Sequence, residues 1–270
     1  MVIFTLCIMQ LRHSNRLQYF TELANTTREY YINYLKNHFN VSNKCKVLEI
    51  GCGEGGNLLP FAELGCEVMG IDISKTRIEQ AQEFFDYYNA SGKFICQNFI
   101  TANKPQSEDD RFDLILIHDV IEHIEPKFKH EFVSNIKPFL RKNGIVFMGF
   151  PAWQNPFGGH QQITCGFASK LPFIHLLPNP LYRGLLKLSK VPQNAIDELM
   201  SIKRSQMPVE KFERLVKECG FSITNRSLWF INPHYKQKFG LKPRKVWKCA
   251  SHIQFFRNFY STSAFYILSI

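Results

Sequence analysis

Two short stretches concentrate residues able to do chemistry. In Lys46-Val47-Leu48-Glu49-Ile50-Gly51-Cys52-Gly53-Glu54-Gly55-Gly56-Asn57 an apolar run holding one acid gives way to clustered glycines, and Asp72 closes the next apolar run. Glycines let a chain turn sharply off a strand and bring its backbone to a ligand with no Cβ in the way. A following helix offers unpaired N–H groups and the positive end of its dipole. An acid about 20 residues on accepts hydrogen bonds from ribose hydroxyls. The pattern predicts a pocket for a nucleoside cofactor. The second stretch, His118-Asp119-Val120-Ile121-Glu122-His123, follows an apolar strand, so its polar side chains emerge at the carboxyl end of a sheet, where ligands bind in open α/β folds. A neutral His123 there can take a proton from a hydroxyl or amine, with Glu122 beside it. Both residues serve equally well as a cap and loop brace. His160, in Asn155-Pro156-Phe157-Gly158-Gly159-His160-Gln161-Gln162, is a third candidate catalytic group on a loop shaped to face a substrate, or part of a surface turn.

The glycine run fits two templates. Gly51-x-Gly53-x-x-Gly56 satisfies the dinucleotide fingerprint, while Glu49-x-Gly51-x-Gly53-x-Gly55 resembles motif I of the class I S-adenosylmethionine (SAM) methyltransferases. An acid inside an apolar strand is costly unless it meets a polar partner, and this, a helical stretch ahead of the strand and the downstream order favour the second. The resemblance covers residues 40–151 and 208–231 well and the last strand in part. It implies SAM as cofactor. Glu49, Gly51, Cys52, Gly53, Gly55 and Asn57 would then serve its methionine tail, Asp72 the ribose, and Ile73 one face of the adenine. Asn98 stands where the family usually has Asp, so one carbonyl acceptor remains for the adenine amino group. Phe99 would offer its backbone N–H to adenine, and backbone around His118 would meet the methionine end. Val120-Ile121-Glu122-His123 is similar to the Val-x-Glu-His run of ubiquinone-biosynthesis O-methyltransferases. Asp119-x-x-Glu122-His123 also resembles the Glu-x-x-Glu-His constellation by which some relatives hold a divalent ion. Asp shortens the reach by one methylene, His160 is the only evident further ligand, and no metal is assigned.

Helix is expected over 16–39, strands at Lys46–Ile50 and up to Asp72, and a helix from about Gly56 to Leu64 between them. Ser74 should cap a helix through Tyr87. Strands at Lys93–Asn98 and Phe112–Asp119, a helix near Lys127–Leu140 capped at Asn143-Gly144, and a strand at Ile145–Phe150 complete an alternating pattern. Residues 151–205 break it with Pro151, Pro156, Pro172, Pro178, Pro180 and Pro192, reading as a substrate-capping insertion. A helix Val209–Cys219, a strand Phe221–Ile231, an irregular basic stretch from Asn232 to about Asn258 and a last strand Ser263–Ile270 follow. The expected fold is α/β: a Rossmann-like, seven-stranded, mostly parallel sheet with helices on both faces. Residues 1–40 are read as extension and helix, 41–150 as the cofactor-binding core, 151–205 as the insertion and 206–270 as the rest of the core with a second insertion.

A chain of 270 residues, 45% hydrophobic, can bury one sizeable core plus a subdomain. Cys7, Cys45, Cys52, Cys66, Cys96, Cys165, Cys219 and Cys249 include no Cys-x-x-Cys pair, which suits a reducing, cytoplasmic compartment. Val2–Met9 lacks a basic leader and cannot span a bilayer. The net charge of +10 suits an anionic partner or a merely solvated basic surface. Residues 165–191 mix aromatics and leucines with Lys170, Arg183, Lys187 and Lys190 but no acid, which fits a lid or an anionic membrane surface. Nothing specifies nucleic acid. The expected activity is methyl transfer from SAM to oxygen or nitrogen of a small or lipid-like molecule. The alternatives are an RNA or protein methyltransferase, or a SAM- or nucleotide-binding protein without transfer. The absence of an Asn-Pro-Pro-Tyr-like motif after Asp119 argues against base N-methylation.

Overall fold

The computed structural model describes residues 15–164 and 166–270. The Val2–Met9 extension, Cys7 and Cys165 lie outside the described residues. One sheet runs in the order β3-β2-β1-β4-β5-β8-β6-β7. Its strands are β1 (Lys46–Ile50), β2 (Glu67–Asp72), β3 (Lys93–Cys96), β4 (Phe112–His118), β5 (Leu140–Phe150), β6 (Ser222–Ile231), β7 (Arg244–Lys245) and β8 (Ser263–Ser269). β1 to β5 are parallel, and β8 enters antiparallel between β5 and β6. The fold is the expected Rossmann-like α/β sheet with one strand more. The two-residue β7 pairs with the outer edge of β6, inside a stretch that read as irregular.

Both faces of the central strands are buried, as their continuous apolar runs require. Phe147 and Phe265 pack on one side with Phe20, Tyr31 and Phe61. Their neighbours Met148 and Tyr266 pack on the other with Phe132, Phe212 and Val216. The period of two along β5 and β8 thus binds helices to both faces.

Several boundaries move, each for a local reason. The first helix runs Arg16–Thr26, opened by Asn15 accepting from Gln18 N–H, and continues through a wide π turn, Thr27–Tyr31, to Leu35. The helix after the glycines is only Leu59–Glu63, begun at Pro60, so successive turns rather than a long helix end form the cradle. Ser74 occupies the cap position before Lys75–Tyr87, yet its side chain makes no cap bond. The expected helix to Leu140 is a short α segment, Lys129–Ser134, flanked by 3-10 turns, because Pro138 has no N–H to continue it. Asn143-Gly144 is not a cap. It lies within β5, where the pairing with β4 slips and a Cβ on Gly144 would stand 2.9 Å from Asp113 O.

The insertion holds two unforeseen helices, Asn179–Leu188 and Gln193–Ser205. Their prolines are starts rather than breaks, Pro180 in the first turn and Pro192 at the cap. Tyr182 and Leu186 pack with Trp153, Ile196, Leu199 and Met200 in a core of their own. The stretch after β6 also folds, with helices His234–Phe239 and Lys248–His252.

Candidate active site

The glycine turn between β1 and the short helix is held from three sides. Gly51, Gly53 and Gly55 all have φ in the left-handed region, between 53° and 82°, where a side chain is strained. A Cβ on Gly51 would stand 2.4 Å from Val120 Cγ2 and one on Gly55 2.9 Å from Phe94 Cε1, whereas on Gly53 the nearest atom is Arg77 Nη1 at 3.8 Å. Gly51 and Gly55 therefore keep neighbours close, while Gly53 keeps the cleft open. Asp72 is the second support. Its Oδ2 accepts from Gly53 N–H at 2.9 Å and its Oδ1 from Ser74 N–H at 2.8 Å. The third is Glu49, whose Oε1 accepts from Asn57 Nδ2 at 2.7 Å while Asn57 Oδ1 accepts from Thr27 Oγ1 at 3.0 Å. This chain ties β1 and the turn to the first helix.

Glu49 Oε2 is buried without a protein partner. Burial, opposed by the Asn57 hydrogen bond and reinforced by Asp72, pushes the Glu49 carboxyl up to about 8. Such a group stays protonated without a cation beside it and ionises readily when one arrives. That is the chemistry a cofactor's ammonium group needs, and the open space at Gly53 gives its chain room.

Glu49, Gly51, Cys52, Gly53, Asn57 and His118 line one cleft, together with Tyr19, Leu23, Tyr31, Arg77, Asp119, Asn232 and His234. Gly55, Asp72, Ile73, Asn98 and Phe99 do not line it. Ile73 is 76% exposed beside Asp72, an open apolar face of the kind adenine packs on. Asn98 Oδ1 accepts from Ile100 N–H at 3.0 Å and caps the turn Phe99–Thr101, which leaves it one further lone pair. The Phe99 ring is buried against Phe132 and Phe139. His118 stacks on Tyr31 with centroids 4.6 Å apart, and burial lowers it to about 3, so the imidazole is neutral.

The three candidate catalytic residues do converge. One ligand-capable atom each from Glu122, His123 and His160 lie within 4.8 Å of one another. The two rings meet edge to face at 5.0 Å, and Glu122 Oε1 is 3.9 Å from His123 Nε2. Although the His123 side chain is 41% exposed, the surrounding protein lowers it to about 4, helped by Lys129 and Arg77. His160 falls to about 3 by burial and by His123. Both carboxylate oxygens of Glu122 are buried without a partner, and burial then Asp119 raise it well above the carboxylate range. Lys129, itself 2% exposed, donates from Nζ to Ile121 O at 2.5 Å and so braces the turn that carries the pair. Two imidazoles and a carboxylate could hold zinc or another transition ion. Asp119 does not join that set. Its φ of 53° sets it in the wall of the cofactor cleft, where, although the residue is exposed, the surrounding protein raises its carboxyl above the usual range.

Sequence reasoning missed the far wall of the cleft. Thr26 Oγ1 and His234 Nδ1 are 2.9 Å apart, Tyr19 meets the His234 ring edge-on, and Lys236 pairs with Glu29 at 2.8 Å. The segment after β6 thereby closes over the first helix, a contact across some two hundred positions that no local pattern signals. Arg77 was findable, since it sits in the first turn of the helix that follows Asp72.

Comparison with known proteins fits this geometry. Residues 47–144 match the family described as a methyltransferase domain. A ubiquinone biosynthesis O-methyltransferase of Rickettsia typhi is 31% identical over 121 residues, 44% of this chain and 46% of that protein. The enzyme of the same name from Bartonella tribocorum is 33% identical over 103 residues, 38% and 40%. The chain thus matches less than half the length of these relatives. Magnesium protoporphyrin IX methyltransferase from Synechocystis, solved with S-adenosylhomocysteine, shares the fold at TM-score 0.53 and 14% identity, covering 92% of this chain and 82% of that one. A SAM-dependent methyltransferase from Clostridium acetobutylicum does so at 0.56 and 10%, covering 93% and 92%. Residues 47–144 thus match a methyltransferase domain, and the sheet that carries them has the fold of SAM-dependent methyltransferases.

Glu49 gives a testable consequence. Its folded value near 8 lies above the ordinary 4.5, so burial of the neutral carboxyl is fully favourable below pH 4.5 and turns into a cost as pH rises toward 8. Glu49→Gln should match the parent in thermal unfolding near pH 4.5. At pH 8 it should be more stable by several kcal/mol, at about 1.4 kcal/mol for each unit of the shift, while binding S-adenosylhomocysteine more weakly. A difference independent of pH would mean that the carboxylate is solvated.

Proposed function

We propose that the chain moves a methyl group from SAM to an oxygen or nitrogen of a small or lipid-like acceptor, in the cytoplasm. The observation that carries this reading is the convergence of Glu122 and His123, just after β4, with His160 on the loop after β5, next to His118 and Asp119, which wall the cofactor cleft. The matched relatives named ubiquinone biosynthesis O-methyltransferases favour oxygen and a lipid-like acceptor. Free cysteines at 45, 52, 66, 96, 219 and 249 suit a reducing compartment. No helix among the described residues is long and apolar enough to cross a membrane.

SAM supplies a methyl group already activated on a sulfonium. What remains for the protein is to align, to exclude water and to accept one proton. Glu49 would ionise against the ammonium of the methionine tail, while Gly53 admits that tail to the turn. Asp72 keeps lone pairs beyond its two backbone bonds for the ribose hydroxyls. His123, neutral at physiological pH, accepts the acceptor's proton as the methyl arrives. Glu122, close to its Nε2, can ionise to balance the imidazolium that forms.

Asp72→Ala should weaken S-adenosylhomocysteine binding by about 2 kcal/mol in calorimetry, the range of charge-assisted hydrogen bonds. Unchanged affinity, or tighter binding of NAD, would remove the cofactor assignment. His123→Ala should lower turnover about 10²-fold at nearly unchanged cofactor affinity. Because His123 titrates near 4, the parent's turnover should be level from pH 6 to 8 and fall only as pH drops toward that value. Turnover should also survive chelation. Loss on chelation with recovery on adding zinc would assign the cluster to an ion instead.

A further inference from the structure

Away from the cofactor cleft, the carboxyl edge of the sheet carries an apolar groove of about 400 Å³, lined by Pro156, Phe173, Phe230, Phe256, Phe259 and Tyr260. Three separate segments build it: the loop after β5, the end of β6 and the chain leading into β8. Pro156 stands on the same loop as His160, and Phe173 N–H donates to its carbonyl at 2.7 Å. The rim is open. Phe230, Phe255, Phe256 and Tyr260 are about half exposed, Ile253 likewise, and Trp247 is 81% exposed.

This exposure is built in. Phe173 and Phe255 have φ of 64° and 63°, a conformation rare and strained for a bulky residue unless its surroundings enforce it. Enforcement is visible at Phe255. Its N–H donates to Glu210 Oε1 at 3.1 Å, and the next residues but one, Arg257 and Asn258, bond Glu210 and Glu213 from buried positions. The network spends its polar groups on pinning a turn that points Phe255 and Phe256 outward. A groove meant only to fill the fold would have no need of that.

Charge sets the partner. Residues 219–270 contain eight lysines and arginines and not one aspartate or glutamate. Lys242, Arg244, Lys245 and Lys248 are exposed on the segment that leads to the aromatic turn. Arg226, Arg257 and Lys236 are paired with Glu213, Glu210 and Glu29, but the exposed charges of residues 239–260 themselves are all cationic. With the aromatic and aliphatic tips beside them they complement a surface that is negative outside and apolar just beneath. We propose that this groove and its basic flank seat the protein on an anionic phospholipid bilayer. The contact is centred on 239–260 and Phe173 rather than on 165–191 as a whole. It deepens the lipid-like acceptor reading and rests on it only for its purpose, since a bilayer is where such an acceptor would reside.

The full chain, mixed with vesicles of neutral phosphatidylcholine or of phosphatidylcholine with phosphatidylglycerol, tests this by co-sedimentation. Binding should favour the anionic vesicles about tenfold or more and fall as salt rises. The triple variant Lys242→Glu, Lys245→Glu, Lys248→Glu should lose that preference, and Phe255→Ser with Phe256→Ser should lose binding to both vesicles. All variants should keep the parent's calorimetric affinity for S-adenosylhomocysteine, which shows they are folded and reads the cofactor assignment separately. No sedimentation, equal binding to both vesicles, or binding unaltered in the variants would overturn the proposal. So would capture of single-stranded RNA without vesicle binding, which would assign the basic flank to nucleic acid.

Discussion

A carboxyl group sealed from water with one hydrogen bond is an expensive thing to keep in a strand, and much of this structure is arranged around Glu49. Its Oε1 is satisfied through Asn57, which in turn is fixed by Thr27. The wide π turn at Thr27–Tyr31 is where the first helix reaches that relay, and π turns often mark such functional contacts. The other oxygen has no protein partner. A buried acceptor left open is destabilising by itself, so it makes sense as half of an interaction that a ligand completes.

The same economy appears at the end of β4. Glu122 has two unpartnered oxygens, His123 and His160 are held neutral, and the buried Lys129 braces the turn beneath them. The cofactor cleft and the Glu122–His123–His160 cluster are neighbours because β1 and β4 are neighbours, and parallel strands deliver their carboxyl ends to one edge. The clasp of Thr26 and Glu29 with His234 and Lys236 then closes the cofactor side.

The parallel core was legible because its signals are local. Glycines fix the turn, apolar runs fix β1, β2 and β4, and Asp72 ends a strand where a ribose partner should stand. The insertion was illegible for the opposite reason: prolines that break a helix also begin one, and Pro180 and Pro192 do the latter. Asn143-Gly144 has the composition of a cap, but close approach to β4 decided its conformation. Of the site residues, Glu122, His123 and His160 were found by motif and met in space. Asp119 left the group through one backbone angle, and Asn98 also caps its own turn. Neither outcome can be read from residue type. Tyr19, Asn232 and His234 entered the cleft wall through long-range packing alone.

The central claim is that an orphaned carboxylate and a glycine turn await the methionine tail of SAM. A crystal structure of the protein soaked with S-adenosylhomocysteine tests it most directly. The expected result places the ligand's ammonium within hydrogen-bonding distance of Glu49, its ribose at Asp72, and its sulfur facing the space before His123. A ligand bound elsewhere, or a tail that leaves Glu49 Oε2 without a partner, would contradict the account.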